Sequence, residues 1–395
     1  MATSWAFEME TLILGWYVLV ETRSVLLLTV FASLQYTGTL LGPAFGVAGD
    51  RIGHRKLLCA MRAVYTTLAT SLMILTFTGV LTPAYVFTIA AMMGLVRPSD
   101  IGMRAAVVGG TMPAAQLMAA MGIQRTTQDS ARIAGALTGA GLVAALGMGP
   151  AYAVVATLYA SSFVLTWIAG DVYLAPAAAP ASSESAPTSP WRDLKAGLAY
   201  VWNTPLLLGL MFLAFMLNMT AFPLLTGLLP YVAKEIYHTG QTGLGYMVAG
   251  ASFGALVGSI MLSKYSGAIL PARMTIIACF GWYLMLLVFS RLEYPAGGIA
   301  LLMLAGFSQS VSQVPMAAIL LRNSDPQYRG RVMGIRMLAI YGNVPGLLIS
   351  GPLIASFGYP LTASLFCAVG ITSTLIIAVR WRAHLWRRAA PANLR

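Results

Sequence analysis

Residues 94–110 read Gly94-Leu-Val-Arg97-Pro98-Ser-Asp100-Ile-Gly-Met-Arg104-Ala-Ala-Val-Val-Gly-Gly110. A proline, several glycines and three charges have the look of a loop. Strongly apolar runs flank the stretch on both sides. In water it is a turn between helices. In lipid it is a membrane helix with charges at its middle, and the molecule is of a different kind.

Composition favours lipid. The chain of 395 residues is 58% hydrophobic and 9% charged, against about 25% charged for a soluble domain. So few polar groups cannot cover a globular surface. The three cysteines, Cys59, Cys279 and Cys367, lie scattered in apolar runs; they form no disulfide framework or zinc spacing and read as small hydrophobes. His54, His238 and His384 fall at the ends of apolar runs and form no metal constellation. No metal or cofactor is expected. Met1-Ala-Thr-Ser-Trp5 lacks a basic n-region, and Glu8 and Glu10 interrupt the place of an apolar h-region, so no cleavable signal is expected.

Crossing the hydrocarbon takes about 20 apolar residues. Twelve spans are expected, at roughly 2–20, 26–48, 57–79, 84–110, 123–147, 151–170, 205–230, 242–263, 272–290, 296–321, 332–357 and 361–380. With the N-terminus inside, the outer loops hold only Arg23, Lys234 and Arg291, while Arg97 and Arg104 fall within a span. The remaining 19 of the 24 lysines and arginines lie at or near the inner ends, which obeys the positive-inside rule. The net charge of +12 is thus explained without nucleic acid, and the basic tail 380–388 reads as an anchor near anionic headgroups. Residues 175–190, APAAAPASSESAPTSP, are of low complexity and form no core. After them Trp191, Leu194, Leu198 and Val201 make an apolar stripe at helical spacing, as in a helix lying on the inner membrane face. The expected fold is an all-α membrane protein of two pseudo-symmetric six-helix bundles with both termini cytoplasmic. Residues 1–170 form the first bundle, 171–204 the linker with its amphipathic helix, 205–380 the second bundle and 381–395 the tail.

The halves repeat. One ungapped shift of 212 residues sets Gly46 on Gly258, Gly94 on Gly306, Ala105-Ala106 on Ala317-Ala318, Met121-Gly122-Ile123 on Met333-Gly334-Ile335 and Gly139 on Gly351. A competing shift of 225 aligns Arg97-x-Ser-Asp100-x-x-x-Arg104 with 322–329 but loses the glycines. The 212 register places Arg97 on Gln309, Asp100 on Ser312 and Arg104 on Met316, deep in the apolar tenth span. The opening stretch therefore lies in the membrane. Spacings of three and four put its charges on one stripe, where Asp100 can pair with either arginine. A charge at a helix centre costs roughly 2.5–3.5 kcal/mol on insertion scales, so the stripe should face the protein interior. Pro98 cannot donate to the carbonyl of Gly94 and should kink the helix.

Arg97, Asp100 and Arg104 are the leading substrate or coupling residues, since ionisable groups inside membranes tend to mark pathways. The alternative is an ion pair that only locks helices. Glu8 and Glu10 on the first span lie about 200° apart and cannot share a face. Glu8 is assigned to the cavity; on a short first helix either acid would instead sit near the headgroups. Gln309, Ser312 and Gln313 on the tenth span, and Asn218 on the seventh, can bond a ligand or serve as packing glue. Asp129 with Arg125 and Arg132 reads as structural pairing at the inner end of the fifth span.

The loop Gly46-Val-Ala-Gly-Asp50-Arg51-Ile-Gly53-His54-Arg55-Lys56 resembles a signature of the major facilitator superfamily, Gly-x-Leu-Ala-Asp-Arg-x-Gly-Arg-Arg, between helices 2 and 3. Gly46, Asp50, Arg51, Gly53 and Arg55 match, while Ala48, Gly49 and His54 depart. The symmetric loop, Ser263-Lys264-Tyr-Ser-Gly267, has Leu262 opposite Asp50, a loss also similar to the family. Asp325-Pro326-Gln-Tyr-Arg329-Gly330-Arg331-Val-Met-Gly334 resembles the branch containing the enterobactin exporter and macrolide-efflux-like carriers, as does 5–55. Arg132-Ile-Ala-Gly135-Ala136-Leu-Thr-Gly139 is similar to the antiporter motif of helix 5, with Ala136 and Ala140 in place of a proline and a glycine.

The resemblance implies a central cavity lined by helices 1, 4, 7 and 10, with alternating access by rocking of the halves. It implies gating loops at Gly46, Asp50, Arg51, Gly53, Arg55 and at Arg329, Gly330 and Arg331. The implied activity is proton-coupled export of a small organic molecule, siderophore-like or drug-like, by a monomer in the bacterial inner (plasma) membrane. Its partners are that substrate, protons and the lipid bilayer, with no nucleic acid. Uptake by symport would use the same residues, and a non-transporting receptor would bind without flux. A membrane-embedded lipid-modifying enzyme needs clustered carboxylates for metal or general-base work. The 12 acids here are dispersed, so no enzyme is expected.

Overall fold

The structure, a computed structural model, describes residues 1–41, Phe45, 52–111, 114–168, 190–265, 271–325 and 328–385. Among them every regular element is helical. The first part holds α1 (Ala2–Thr22), α2 (Val25–Leu34) with a 3-10 turn at Thr37–Leu41, α3 (His54–Phe77), α4 (Pro83–Thr111), α5 (Ala114–Leu146) and α6 (Met148–Ile168). Then come α7 (Pro190–Asn203), α8 (Pro205–Thr220), α9 (Gln241–Tyr265), α10 (Pro271–Phe289), α11 (Pro295–Arg322), α12 (Arg329–Ala339), α13 (Asn343–Phe357) and α14 (Tyr359–Arg380).

Among the described residues, eight stretches are long and apolar enough to cross a membrane: Arg55–Phe77, Met148–Ile168, Pro205–Ile236, Gln241–Leu262, Ala272–Phe289, Pro295–Arg322, Arg331–Phe357 and Tyr359–Arg380. The other four expected spans correspond to α1, α2, α4 and α5, whose apolar runs are short or broken by charge. α5 begins at Ala114, ahead of the expected 123. Ala, Gln, Met and Leu are strong helix formers and carry the helix past its apolar part. Residues 94–110 fall inside α4, with Pro98 in the helix interior. They form no loop.

The chain divides into two compact units. One comprises 1–190 with 227–249, the other 191–226 with 250–395. The first is packed around Met9, Ile13, Leu14 and Val18 of α1, Tyr65 and Leu72 of α3, Ala90 and Met93 of α4, and Tyr152, Val155 and Tyr159 of α6. Burying one such large apolar side chain contributes roughly 1.5–3 kcal/mol. Residues 227–249 belong to this unit through close contacts. Pro230 touches Gly15, Gly245 is wedged against Ala136 and Ala140, and Lys234 Nζ donates to the Leu19 carbonyl at 3.3 Å. That lysine stands at the C-terminal end of α1, where a cation suits the helix dipole. Arg55 does the same for α6, donating to the carbonyls of Thr166 and Trp167.

In the second unit Trp282, Tyr283 and Phe289 of α10 are fully buried. Tyr283 and Thr220 share a 2.7 Å hydrogen bond, and Gly370 leaves the space that the Tyr283 ring fills. The linker helix α7 packs in this unit. Gly197 abuts Arg331, Tyr200 stacks on Tyr328 with centroids 4.2 Å apart, and the Asp325 N–H donates to the Tyr200 hydroxyl at 3.1 Å. Val201 is buried while Leu198 and Trp202 are exposed. The expected single stripe is therefore split: three residues along a helix turn about 60° away from register, enough to send Val201 inward and Leu198 outward.

The 212-residue repeat reappears as packing. A Cβ on Gly94 would overlap the carbonyl oxygen of Leu34, and one on Gly306 that of Ala251. The first pair joins α4 to α2 and the second joins α11 to α9. Glycine alone allows such backbone approach.

Candidate functional site

The sequence-assigned residues of the first unit gather on α1, α2, α4, α5 and α6. Arg97 donates to Gln35 Oε1, and its guanidinium lies over the Phe7 ring. A cation on an aromatic face gains on the order of 0.5–2 kcal/mol, more when water is excluded. Asp100 is 2% exposed. Both charges thus face protein. The helix of Arg104 is described, but its side chain lies outside the described residues. Next to Arg97 is a cavity with about 20 Å³ of room for the centre of a water-sized sphere, enough for a water. Arg97 and Gln35 line it with Glu10, Thr11, Phe7 and Phe31.

The two acids of α1 part company, as two helical residues must. Glu8 turns to α5 and pairs with Arg132, Nε to Oε1 at 3.3 Å. Gly135 makes room: a Cβ there would stand 2.8 Å from the Glu8 Cβ. The Trp5 indole N–H donates to Thr138 Oγ1 at 2.9 Å one turn away. Glu10 turns to α6, is 4% exposed, and accepts a 2.9 Å hydrogen bond from the Tyr159 hydroxyl on Oε2. Its Oε1 is buried with no partner among the described residues. Asp129 is buried on α5. Residue types alone could not separate Glu8 from Glu10; the signal lay in what each acid faces, Gly135 and Arg132 for one and Tyr159 for the other.

In the second unit the assigned residues are engaged with protein. Gln313 Oε1 accepts from Arg336 at 3.3 Å. Asn218 Oδ1 accepts from Asn343 Nδ2 at 2.9 Å, and Asn218 Nδ2 donates to Ala214 O at 2.8 Å. Gln309 is 4% exposed and Ser312 fully buried, with the Ser312 hydroxyl donating to the Gln309 carbonyl at 2.8 Å. Of the assigned gating residues, Gly53 has φ 97° just before α3, a conformation suited to glycine. Arg331 lies 5.4 Å from the Tyr328 ring centroid. Gly46, Asp50 and Arg51, and the side chain of Arg329, lie outside the described residues, and Gly330 is described only as part of α12. Among the described residues no group of histidine, cysteine and carboxylate side chains is placed to hold a metal.

Long apolar helices, with charges buried at the middle of one of them beside a small, largely apolar cavity, are the build of a membrane transporter. The chain belongs to the Major Facilitator Superfamily, whose sequence pattern its residues 11–350 match. It is a multi-pass membrane transporter of that type and not an enzyme. Solved structures share the fold. The POT family transporter PepTSo is 12% identical, with TM-score 0.75 over 98% of this chain and 97% of that one. The nucleoside transporter NupG is 14% identical, with TM-score 0.71 over 98% and 97%. The human organic anion transporter MFSD10 is 13% identical, with TM-score 0.62 over 95% and 98%. No curated protein matches the chain by sequence.

Proposed function

We propose that this transporter exports a small organic molecule from the cytoplasm in exchange for protons. The observation that carries it is that Arg97 and Glu10 line one small cavity without forming an ion pair. A cation and an acid held apart in low dielectric are poised to respond to each other's charge state. Two arginines on α4 favour a substrate with an anionic or catecholate-like part. Gln309, Gln313 and Asn218 supply hydrogen bonds from the other half, and Asp100 and Glu8 complete the charge set. The export direction rests on the likeness of 325–334 to the enterobactin-exporter and macrolide-efflux branch. The remaining parts of the proposal are twelve spans, cytoplasmic termini, a monomer, the bacterial inner membrane, and alternating access gated by Asp50 and Arg329–Arg331.

Substrate is found by comparing metabolites inside and outside cells with and without the gene. Flux of the compound that accumulates inside is then followed in proteoliposomes under an imposed pH gradient. Export that collapses with the gradient, and in Asp100→Asn or Glu8→Gln, is expected. Flux indifferent to the gradient in the wild type overturns proton coupling, and accumulation outside the cells lacking the gene overturns export.

A further inference from the structure

We infer that Glu10 carries the exchangeable proton, and that Arg97 answers its ionisation by moving from Gln35 to Glu10 across the water-sized cavity between them.

The geometry is specific to Glu10. Its carboxyl meets Tyr159 of α6, which lies in one buried cluster with Tyr152 of α6 and Tyr65 of α3. Tyr65 and Tyr159 have ring centroids 5.5 Å apart. Among the described residues, Arg97 of α4 is the cation that lines the cavity with Glu10, and α2 presents the neutral Gln35; Arg62 of α3 is held a turn away from Tyr65 by its bond to the Ser162 carbonyl at 3.1 Å. Glu8, with its partner Arg132, is on the opposite face of α1. Among the described residues, Oε2 has one donor, the Tyr159 hydroxyl, and Oε1 has none. A buried carboxylate with one hydrogen bond and no ion pair is costly, whereas the neutral acid is not. Glu8, by contrast, already has an arginine partner.

The step balances simply. Glu10 gives its carboxyl proton to water in the cavity and becomes a carboxylate. Arg97 stays protonated throughout. It breaks its hydrogen bond to Gln35 Oε1 and makes one to Glu10 Oε1, so the positive charge moves toward α1. Reprotonation returns Arg97 to Gln35 and Phe7. The same arginine is the proposed anion-binding group, so its two seats link proton occupancy to substrate affinity.

This inference deepens the proton-coupled reading and rests on it. The test is infrared difference spectroscopy of the full-length protein in lipid, with pH as the only variable. A protonated-carboxyl band should appear and vanish with pH. It should be absent in Glu10→Gln, whose amide keeps the Tyr159 bond and the side-chain volume. Tyr159→Phe should shift its frequency upward by removing the hydrogen bond. Gln35→Leu removes the competing seat of Arg97 and should move the midpoint of the titration; an unmoved midpoint overturns the exchange. A band that survives in Glu10→Gln but is lost in Asp100→Asn or Glu8→Gln overturns the Glu10 site and leaves proton coupling intact. If no carboxyl titrates in the wild type, both fall together.

Discussion

α4 and α11 are the same helix twice in packing and two different helices in chemistry. Gly94 and Gly306, 212 residues apart, each let a neighbouring backbone carbonyl approach where any Cβ would collide. Three residues on, the helices diverge: Arg97 against Gln309. Three further, Asp100 stands against Ser312, and both are buried. The contrast separates two demands on a membrane helix. Packing needs small residues where two backbones meet. Charge placement is free to differ between the halves, because each buried charge needs only its own local partners. One half has acquired Arg97, Glu10 and Gln35 around a cavity. The other has polar side chains bonded to one another, Thr220 with Tyr283 and Asn218 with Asn343.

The largest effect should come from the shared feature. Gly94→Leu and Gly306→Leu should both prevent recovery of monodisperse protein. The milder alanine variants should each lose about 1–3 kcal/mol by overpacking, read as a lower melting temperature in detergent. A neutral alanine at one position with a large loss at the other would break the packing equivalence. Next in size is the feature that differs. Arg97→Gln makes α4 resemble α11 and should cut transport roughly 10–100-fold, the worth of a charged hydrogen bond. Gln309→Ala should cost about 5-fold or less. Equal losses would mean that the two halves bind substrate alike. The smallest effect falls on these paired side chains of the second half. Tyr283→Phe should lower stability by about 0.6 kcal/mol, the mean for such bonds in membranes, and leave the pH dependence of transport unchanged. A changed pH profile would show that the second half titrates as well.

Much of this was legible in the chain. The low charge content required lipid, and the 212-residue register carried residues 94–110 into a helix against their loop-like composition. The membrane gives backbone polar groups no partner but their own helix, so an apolar run of sufficient length has one solution. Less legible were the ends and faces. α5 starts nine residues before its expected boundary (Ala114 against 123), since helix propensity continues where apolarity stops. The stripe of α7 divides between a protein face and an exposed face, because Tyr200 and Gly197 dock on Asp325, Tyr328 and Arg331.

The sequence by itself determined the class of molecule, the family and the helix that bears the charges, since these follow from composition, a repeat and motif spacing. Only the tertiary structure decided which acid of α1 meets which partner. Glu8 and Glu10 are chemically equal and two residues apart. What distinguishes them is that one faces Gly135 and Arg132 on α5, while the other meets Tyr159 beside Arg97. Periodicity tells that two residues face different ways. It does not tell what each will find there, because that is set by helices from elsewhere in the chain.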